Sequence, residues 1–307
     1  MALVIGRLVA ALAFALATTA HAAVRVVDDR GVDVVLATAA ARIVTLSPNA
    51  AEVVAAAGAG GHIVGVIKGT DQPASLRTRP VVGDVNGLDL ERIVALAPDL
   101  IVTWPWTTPA QVDLLRRRGV AVFVVNPATI DAIATDIERI GVLAATEEAS
   151  ARTAREFRER IREATRDVVR RPPLRVFYEV SDKPLFTLGG HHLVSEAIGR
   201  CGGENVFARL TIPAPQVSVE SVLATDPQVI VAGTDDARRP RWLDAWTRWP
   251  ALTAVRHRNL YAVDANLLHR PGPRFADGLA QLCRVLANAR GALRSDAYHG
   301  SGDGVHG

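Results

Sequence analysis

The sequence predicts an α/β protein of two similar lobes joined by one long helix, and three observations carry that reading. Residues 90–102 and 219–231 spell nearly the same pattern: Glu, two aliphatics, Ala, then Pro and an aliphatic run. Glu91 matches Glu220 at an offset of 129 residues (220 − 91), and Pro98 matches Pro227 at the same offset. An internal copy of a helix–loop–strand unit indicates two lobes of like architecture. Short apolar runs also alternate with capped helical segments on both sides of the chain's middle, as parallel α/β sheets require. Between them, residues 146–171 carry one apolar stripe on an otherwise charged helix.

In chain order, residues 41–46 read as a strand. Ser47 then suits a helix N-cap and Pro48 the first helical position. Residues 63–67 form a second strand. Asp89 caps the first repeat helix, Pro98 follows its end, and residues 100–103 are a buried strand. Thr108-Pro109 starts a helix that Gly119 stops, and residues 120–125 are the next strand. In the middle segment Ala154, Phe157, Ile161, Ala164 and Val168 recur at alternating spacings of 3 and 4. Pairs such as Glu148/Arg152 and Glu156/Arg160 support that helix at i, i+4. About 24 helical residues would span about 36 Å, a rigid connector that Pro172-Pro173 ends. The α/β pattern then restarts. Residues 175–178 are a strand, 193–201 a helix, 218–232 the second repeat unit, 260–263 a strand and 274–289 the last helix. Residues 295–307 show no apolar period and are expected to be disordered. The units so defined are two Rossmann-like lobes, 23–144 and 173–294, and the connecting helix 145–172.

Composition bounds the function. The chain has 307 residues, 49% hydrophobic and 22% charged, values of an ordinary folded protein. The formal charge is +3, and basic residues alternate with acids. Nucleic acid needs basic residues gathered on one face, so no nucleic-acid partner is expected. Residues 1–22 read as a signal peptide. Arg7 supplies the positive end, residues 8–17 the apolar stretch and Ala20-His21-Ala22 the cleavage rule. The apolar run is too short to span a bilayer. Cleavage after Ala22 predicts a soluble, exported protein with no lipid anchor, since no cysteine lies near that site. The two cysteines, Cys201 and Cys283, then read as one disulfide rather than two separate buried thiols.

Chemistry-bearing motifs are sparse. No Gly-x-Ser-x-Gly elbow, Gly-x-Gly-x-x-Gly or P-loop is present, so an enzyme is not expected. Its remote form would be a secreted α/β hydrolase using Ser47 and His269. Adjacent His191 and His192 diverge in direction and read as polar loop residues near a cleft mouth, and no metal site is expected. His269 precedes Arg270-Pro271-Gly272-Pro273-Arg274 and is a candidate to hydrogen-bond or ligate something in the cleft. Trp104-Pro105-Trp106 follows a strand at its carboxyl end, where open α/β sheets place ligands. A loop tryptophan there offers a flat surface to a planar or macrocyclic ligand, unless both pack under the loop. Glu91 and Glu220 sit in the first turns of the repeat helices. There a carboxylate suits the positive dipole end; alternatively, the two acids meet arginines of a two-fold partner.

These pieces together resemble the iron-siderophore/vitamin B12 class of periplasmic binding proteins of ABC importers. The residues that carry the resemblance are Leu46-Ser47-Pro48 with Glu52, Leu90 through Leu96 running to Trp104, and Phe186-Thr187-x-Gly189. Cys201-Gly202-Gly203-Glu204-Asn205-Val206-Phe207, Pro215-Gln216-Val217-Ser218-x-Glu220, and Arg270 with Pro273-Arg274 complete them. The resemblance covers about residues 42–289. It implies a class III fold, two lobes bridged by a rigid helix, and a monomer that needs no cofactor. It implies a disulfide Cys201–Cys283 and docking of Glu91 and Glu220 on a permease dimer in the inner membrane. It implies a corrinoid (cobalamin-like) ligand in the interlobe cleft, with haem or a ferric siderophore as the alternative. The ligand-contact positions so implied are Ser47, Pro48, Gly69, Val85 and Trp104, then Val180, Ala214 and Arg270; Trp106 and His269 would rebuild part of the wall. Gly69, Val85, Val180 and Ala214 stand where the family carries aromatics, and Ala51 replaces a threonine before Glu52.

Overall fold

The repeat seen in the sequence is a repeat of topology. The computed structural model describes residues 23–84, 86–107, 109–168, 172–235 and 239–299. The expected signal peptide, the candidate Val85 and residues 300–307 lie outside the described residues. A hairpin of β1 (Val24–Val27) and β2 (Asp33–Leu36) opens the chain. There follow β3 (Ile43–Thr45), α1 (Pro48–Val54), β4 (Ile63–Val66), a small hairpin of β5 (Gly83–Asp84) and β6 (Gly87–Leu88), α2 (Leu90–Ala95), β7 (Leu100–Thr103), α3 (Pro109–Arg117) and β8 (Ala121–Val124). Helices α4 (Ile130–Ala144) and α5 (Glu147–Thr165) come next. The second half holds β9 (Leu174–Glu179), a hairpin of β10 (Ser181–Asp182) and β11 (Leu185–Phe186), α6 (Leu193–Arg200), β12 (Gly203–Asn205) and α7 (Val219–Thr225). It ends with β13 (Val229–Thr234), α8 (Thr253–Arg256), β14 (Leu260–Asp264), α9 (Ala265–Leu268) and α10 (Phe275–His299).

Two four-stranded parallel sheets result, ordered β4-β3-β7-β8 and β12-β9-β13-β14. Each places its first strand second and its third strand beside it. The local devices of the repeat also coincide. Asp89 and Ser218 cap α2 and α7 through their side chains. Ala97 and Asp226, again 129 apart (226 − 97), both take left-handed backbone, with φ 44° and 40°. Arg42 of the first half donates to Leu96 O and Ala97 O, and Arg175 of the second half donates to Asp226 O. In both, an arginine at the start of the lobe satisfies carbonyls left open at the end of the repeat helix.

The core explains why the halves act as one piece. Strand residues alternate between two faces. Val44, Ile101 and Val122 face an outer cluster under α2 and α3. Phe177, Ile230 and Leu243 face an outer cluster around Trp246. The inner faces of both sheets share a single cluster with α4, α5, α6 and α10, including Ile137, Phe157, Ile161, Tyr178, Phe275 and Leu282. The predicted stripe of α5 is there: Ala154, Phe157 and Ile161 are buried, and Ala164 and Val168 pack at its edge.

Two helix ends and one whole helix differ from expectation. Helix α5 has 19 residues, not 24; its regular bonds end at Thr165, giving a length of about 28 Å. It is also not a free-standing connector. It forms a pair with α4, a helix the reading above does not contain, although Thr129 caps it and its apolar residues keep helical spacing. The pair is close because Gly141 faces Ser150: a Cβ on Gly141 would lie 1.9 Å from Ser150 Oγ. At the other end α10 continues to His299 rather than stopping near residue 289, so residues 295–299 are helical and not disordered. Leu286, Ala289 and Leu293 extend its buried stripe, and the first helix breaker after them is Gly300.

Candidate ligand-binding cleft

In both sheets the loops that follow strand carboxyl ends face each other, and a buried ion pair joins them. Glu52, on α1 just after β3, is 4% exposed. Arg274, beside the start of α10, holds it at two points: Nε to Oε2 at 2.8 Å and Nη2 to Oε1 at 2.6 Å. The Glu52 hydrogen bond and charge raise the Arg274 guanidinium pKa further, against the effect of burial. Arg270, in the loop after α9, donates to Asp71 at 2.8 Å, in the loop after β4, and lies 4.0 Å from Glu52. Burial works to raise the Asp71 pKa, but the Arg270 hydrogen bond and charge outweigh it and hold the carboxyl below its usual range. A second bridge forms where Glu196 of α6 accepts the Ile130 N–H at the start of α4, at 2.8 Å. These contacts bring loops from both sheets to one cleft, the arrangement in which open α/β sheets bind small molecules.

The tryptophan loop stands on the first sheet's side. Thr107 Oγ1 donates to Leu46 O at 3.2 Å, tying the loop beside Ser47 and Pro48. Trp104 is half-buried and walls a small pocket of about 140 Å³ with Arg30, Val112 and Arg116. Trp106 projects instead, 69% exposed. Ser47 is buried, and its hydroxyl accepts the Ala50 N–H as the cap of α1. Pro48 is half-buried. Gly69 is exposed with φ 88° and open space where a Cβ would point, two residues before Asp71.

On the second sheet's side, His269 and His192 form a pair. Their rings stand edge to face at 6.1 Å, and His269 Nε2 shares a 3.0 Å hydrogen bond with the phenol of fully buried Tyr178. His192 Nδ1 accepts the Val194 N–H and caps α6. Burial lowers both imidazoles to about 4, with the mutual charge adding for His192, and burial raises the Tyr178 phenol. At neutral pH the cluster is uncharged. His191 is exposed beside it. Val180 is half-buried against the inner core, and its N–H donates to Phe186 O at 2.9 Å. Ala214 is exposed on the segment between β12 and α7. Ser47 accepts from the Ala50 N–H and His269 bonds to Tyr178, with no hydrogen bond between the two side chains. Glu179, at the end of β9, is a group that sequence reasoning missed. It is 1% exposed, and Trp246 Nε1 donates to it at 2.8 Å. Burial lifts its carboxyl to about 8, and no local sequence signal marks it.

Glu91 and Glu220 are exposed in the first turns of α2 and α7. The Glu220 pKa is lowered by its own backbone N–H and by Ser218. Cys201 and Cys283 are disulfide-bonded, with Cα atoms 4.7 Å apart, joining the end of α6 to α10. Beside them a cavity of about 660 Å³ runs between α5 and α10. Its lining mixes Arg160, Arg284 and Arg290 with Glu163 and Asp277. It lies away from the strand carboxyl ends and is a groove between helices. Among the described residues no group of three or more metal-ligating side chains occurs, and no helix is long and apolar enough to cross a membrane.

Comparison with known proteins agrees with this architecture. A periplasmic binding protein family model matches residues 43–267. The vitamin B12-binding protein of Vibrio cholerae is 35% identical over 253 residues, covering 82% of this chain and 91% of the relative. The crystal structure of the periplasmic vitamin B12 binding protein of Vibrio cholerae matches with a TM-score of 0.74 at 35% identity, over 82% of this chain and 98% of that one. The periplasmic haem binding protein of the same species is alike in fold, with a TM-score of 0.69 at 21% identity over 80% of this chain and 98% of that one. A family match running through both sheets, on a fold whose two halves repeat one topology around a cleft, shows that the chain belongs to the periplasmic binding protein family.

Proposed function

We propose that this protein is the substrate-binding component of an ABC importer, taking a corrinoid in the cleft and delivering it to an inner-membrane permease. The observation that carries the proposal is the cleft itself: two parallel sheets opposed at their carboxyl edges and bridged by Glu52 and Arg274. The relatives named as vitamin B12-binding, 35% identical over most of this chain, support a corrinoid as the ligand. In this reading residues 1–22 are removed, and units 23–144 and 173–294 work as lobes in the periplasm as a monomer. Trp104 and Trp106 meet the ligand from one side, with Pro48 and Gly69 beside them; Val180, Ala214, His269 and Arg270 meet it from the other. Glu91 and Glu220 dock on the permease.

Haem is the second reading, and one observation favours it. His269 is a neutral imidazole fixed by Tyr178 in the cleft region, a group able to ligate iron. Calorimetric titration with cyanocobalamin, dicyanocobinamide and haemin separates the two. Saturable binding of one corrinoid per chain supports the proposal. Haemin binding without corrinoid binding transfers the function to the second reading.

A further inference from the structure

Arg116 keeps one donor that the fold does not use. It stands in the last turn of α3, and its Nη1 donates to Asp113 at 3.3 Å. Its Nη2 is buried and has no hydrogen-bond partner. Buried side-chain donors are nearly always paired, because an unpaired one forfeits its bond to water and gains nothing in return. The guanidinium is planar, with its N–H groups in a fixed fork. Nη2 therefore cannot turn toward another acceptor independently of Nη1.

Arg116 lines the small pocket at Trp104, where a second cation is also short of acceptors. The pocket lies at the carboxyl ends of β7 and β8, whose last residues Thr103 and Val124 border it. Arg30, in the turn between β1 and β2, lines it from the other side. The Arg30 guanidinium reaches Asp28 Oδ2 at 3.4 Å from both Nε and Nη2, long for a charge-assisted bond. Asp28 is buried and already accepts the backbone N–H groups of Arg30, Val32 and Val124. Little acceptor capacity is left there for the Arg30 side chain. The lining hydroxyls are spent, that of Thr103 on Trp104 O and that of Thr107 on Leu46 O. Against these donors the described lining offers one carboxylate, Asp113, which is exposed and bonded to Nη1.

The opening hairpin, the loop after β7 and α3 thus bring two guanidiniums to one concave site with an aromatic wall. What such a site lacks is an acceptor, and guanidinium bonds to oxyanions are among the strong ones. A volume of about 140 Å³ holds a group of a few heavy atoms, not a macrocycle. A planar carboxylate turns both oxygens one way. A tetrahedral phosphate presents oxygens in several directions and can meet guanidiniums from different elements at once. We propose that this pocket is a subsite for a phosphate group, with Arg30 and Arg116 as its donors. The group is free phosphate or a phosphodiester carried by a ligand in the cleft. The second source rests on the corrinoid reading and deepens it. Cobalamin carries one phosphodiester in its nucleotide loop, and cobinamide has the same corrin ring without it.

The test titrates wild type, Arg30→Gln and Arg116→Gln with cyanocobalamin, dicyanocobinamide and inorganic phosphate by calorimetry. Arg116→Gln removes a buried donor that has no partner, so its thermal midpoint should not fall. A purely structural arginine would lower it. If the pocket holds the ligand's phosphodiester, each substitution lowers the cyanocobalamin-to-dicyanocobinamide affinity ratio at least about tenfold, the scale of one hydrogen bond to a charged group. Inorganic phosphate should then compete with cyanocobalamin in wild type and not in Arg116→Gln. If free phosphate is the occupant, wild type binds it saturably, either substitution abolishes that binding, and the ratio stays unchanged. An unchanged ratio together with no phosphate binding overturns the proposal, while cyanocobalamin binding by wild type keeps the corrinoid reading. Phosphate binding by a wild type that takes neither corrinoid keeps the subsite and overturns the corrinoid reading.

Discussion

Arg274 crosses from the start of α10 to grip both oxygens of Glu52 on α1, at 2.8 and 2.6 Å, and this bond bridges the loops of the two sheets. Glu52 is buried, whereas the neighbouring Arg270–Asp71 pair is exposed on the Asp71 side. The first is a fixed clasp. The second is open to exchange with solvent or ligand.

Removing the clasp should leave the Arg274 charge partly buried without its partner. Glu52→Gln keeps the shape and loses the charge, and it should cost about 1–3 kcal/mol of stability, less than a fully buried pair because Arg274 reaches solvent. Urea unfolding measures this. The shared inner core continues to hold the lobes, so the variant's radius of gyration by X-ray scattering should match wild type. A contraction or expansion of several ångströms would show that the clasp, and not the core, holds the lobes.

Glu179 should make stability fall as pH rises. Its carboxyl is lifted to about 8 by burial, against about 4.3 in an unfolded chain. Between those values the folded state holds a proton that the unfolded state has released. The stabilisation is therefore complete below the unfolded value and is lost as pH climbs through about 8. Glu179→Gln keeps an acceptor for Trp246 and removes the titration. Relative to wild type it should gain ~2–4 kcal/mol between pH 5 and 9. Buried Asp136, lifted to about 9 chiefly by burial, titrates in both proteins and cancels in the difference. Unfolding at pH 6.5, 7.5 and 8.5 suffices, since there the two low-lying histidines stay neutral in the fold. Parallel pH curves for the two proteins would refute the assignment.

Trp104→Ala should weaken corrinoid binding at least tenfold, the loss expected for an aromatic anchor of about 2–4 kcal/mol. Trp104 also packs within its own lobe, so the comparison is with Trp106→Ala, whose exposed ring carries little folding energy. An equal loss of affinity in both, with a lower melting point only in Trp104→Ala, is the expected pattern. Unchanged affinity in both variants would remove the tryptophan loop from the site.

Glu91→Arg combined with Glu220→Arg should leave folding and ligand affinity nearly unchanged, since both side chains are exposed in helical first turns. Uptake through the cognate permease should fall by more than in either single variant, because matched positions on two lobes suit a two-fold partner. A reconstituted uptake assay beside a binding isotherm separates the outcomes. Surviving uptake would reduce both acids to helix-terminus residues.

Much of the fold was legible because its signals are local. Ser47 and Asp89 were readable as caps, and each accepts its predicted kind of backbone bond; Ser218, at the matching place in the repeat, caps α7 in the same way. The repeat pattern fixed two equivalent helix–strand units, and the structure carries the equivalence to matching left-handed residues at Ala97 and Asp226. Helix α4 was missed although its cap and stripe were present, and α10 was cut short because the polar residues after Leu293 hide a segment that contains no breaker before Gly300. Trp104 and Trp106 were read as one motif, but the loop leaves one half-buried and the other exposed.

The sequence by itself determined the periodicities, the caps, the repeat and the cysteine pair, because each depends on neighbours within a few residues or on a count. Only the tertiary structure decided that Glu52 meets Arg274 across 222 residues of chain, that Tyr178 fixes His269, that Glu179 is sealed against Trp246, and that Gly189 and Gly190 lie against the backbone of the segment between β12 and α7. These are contacts between distant segments. Their free energy comes from burial and from two-partner hydrogen bonds, which no single stretch of sequence contains.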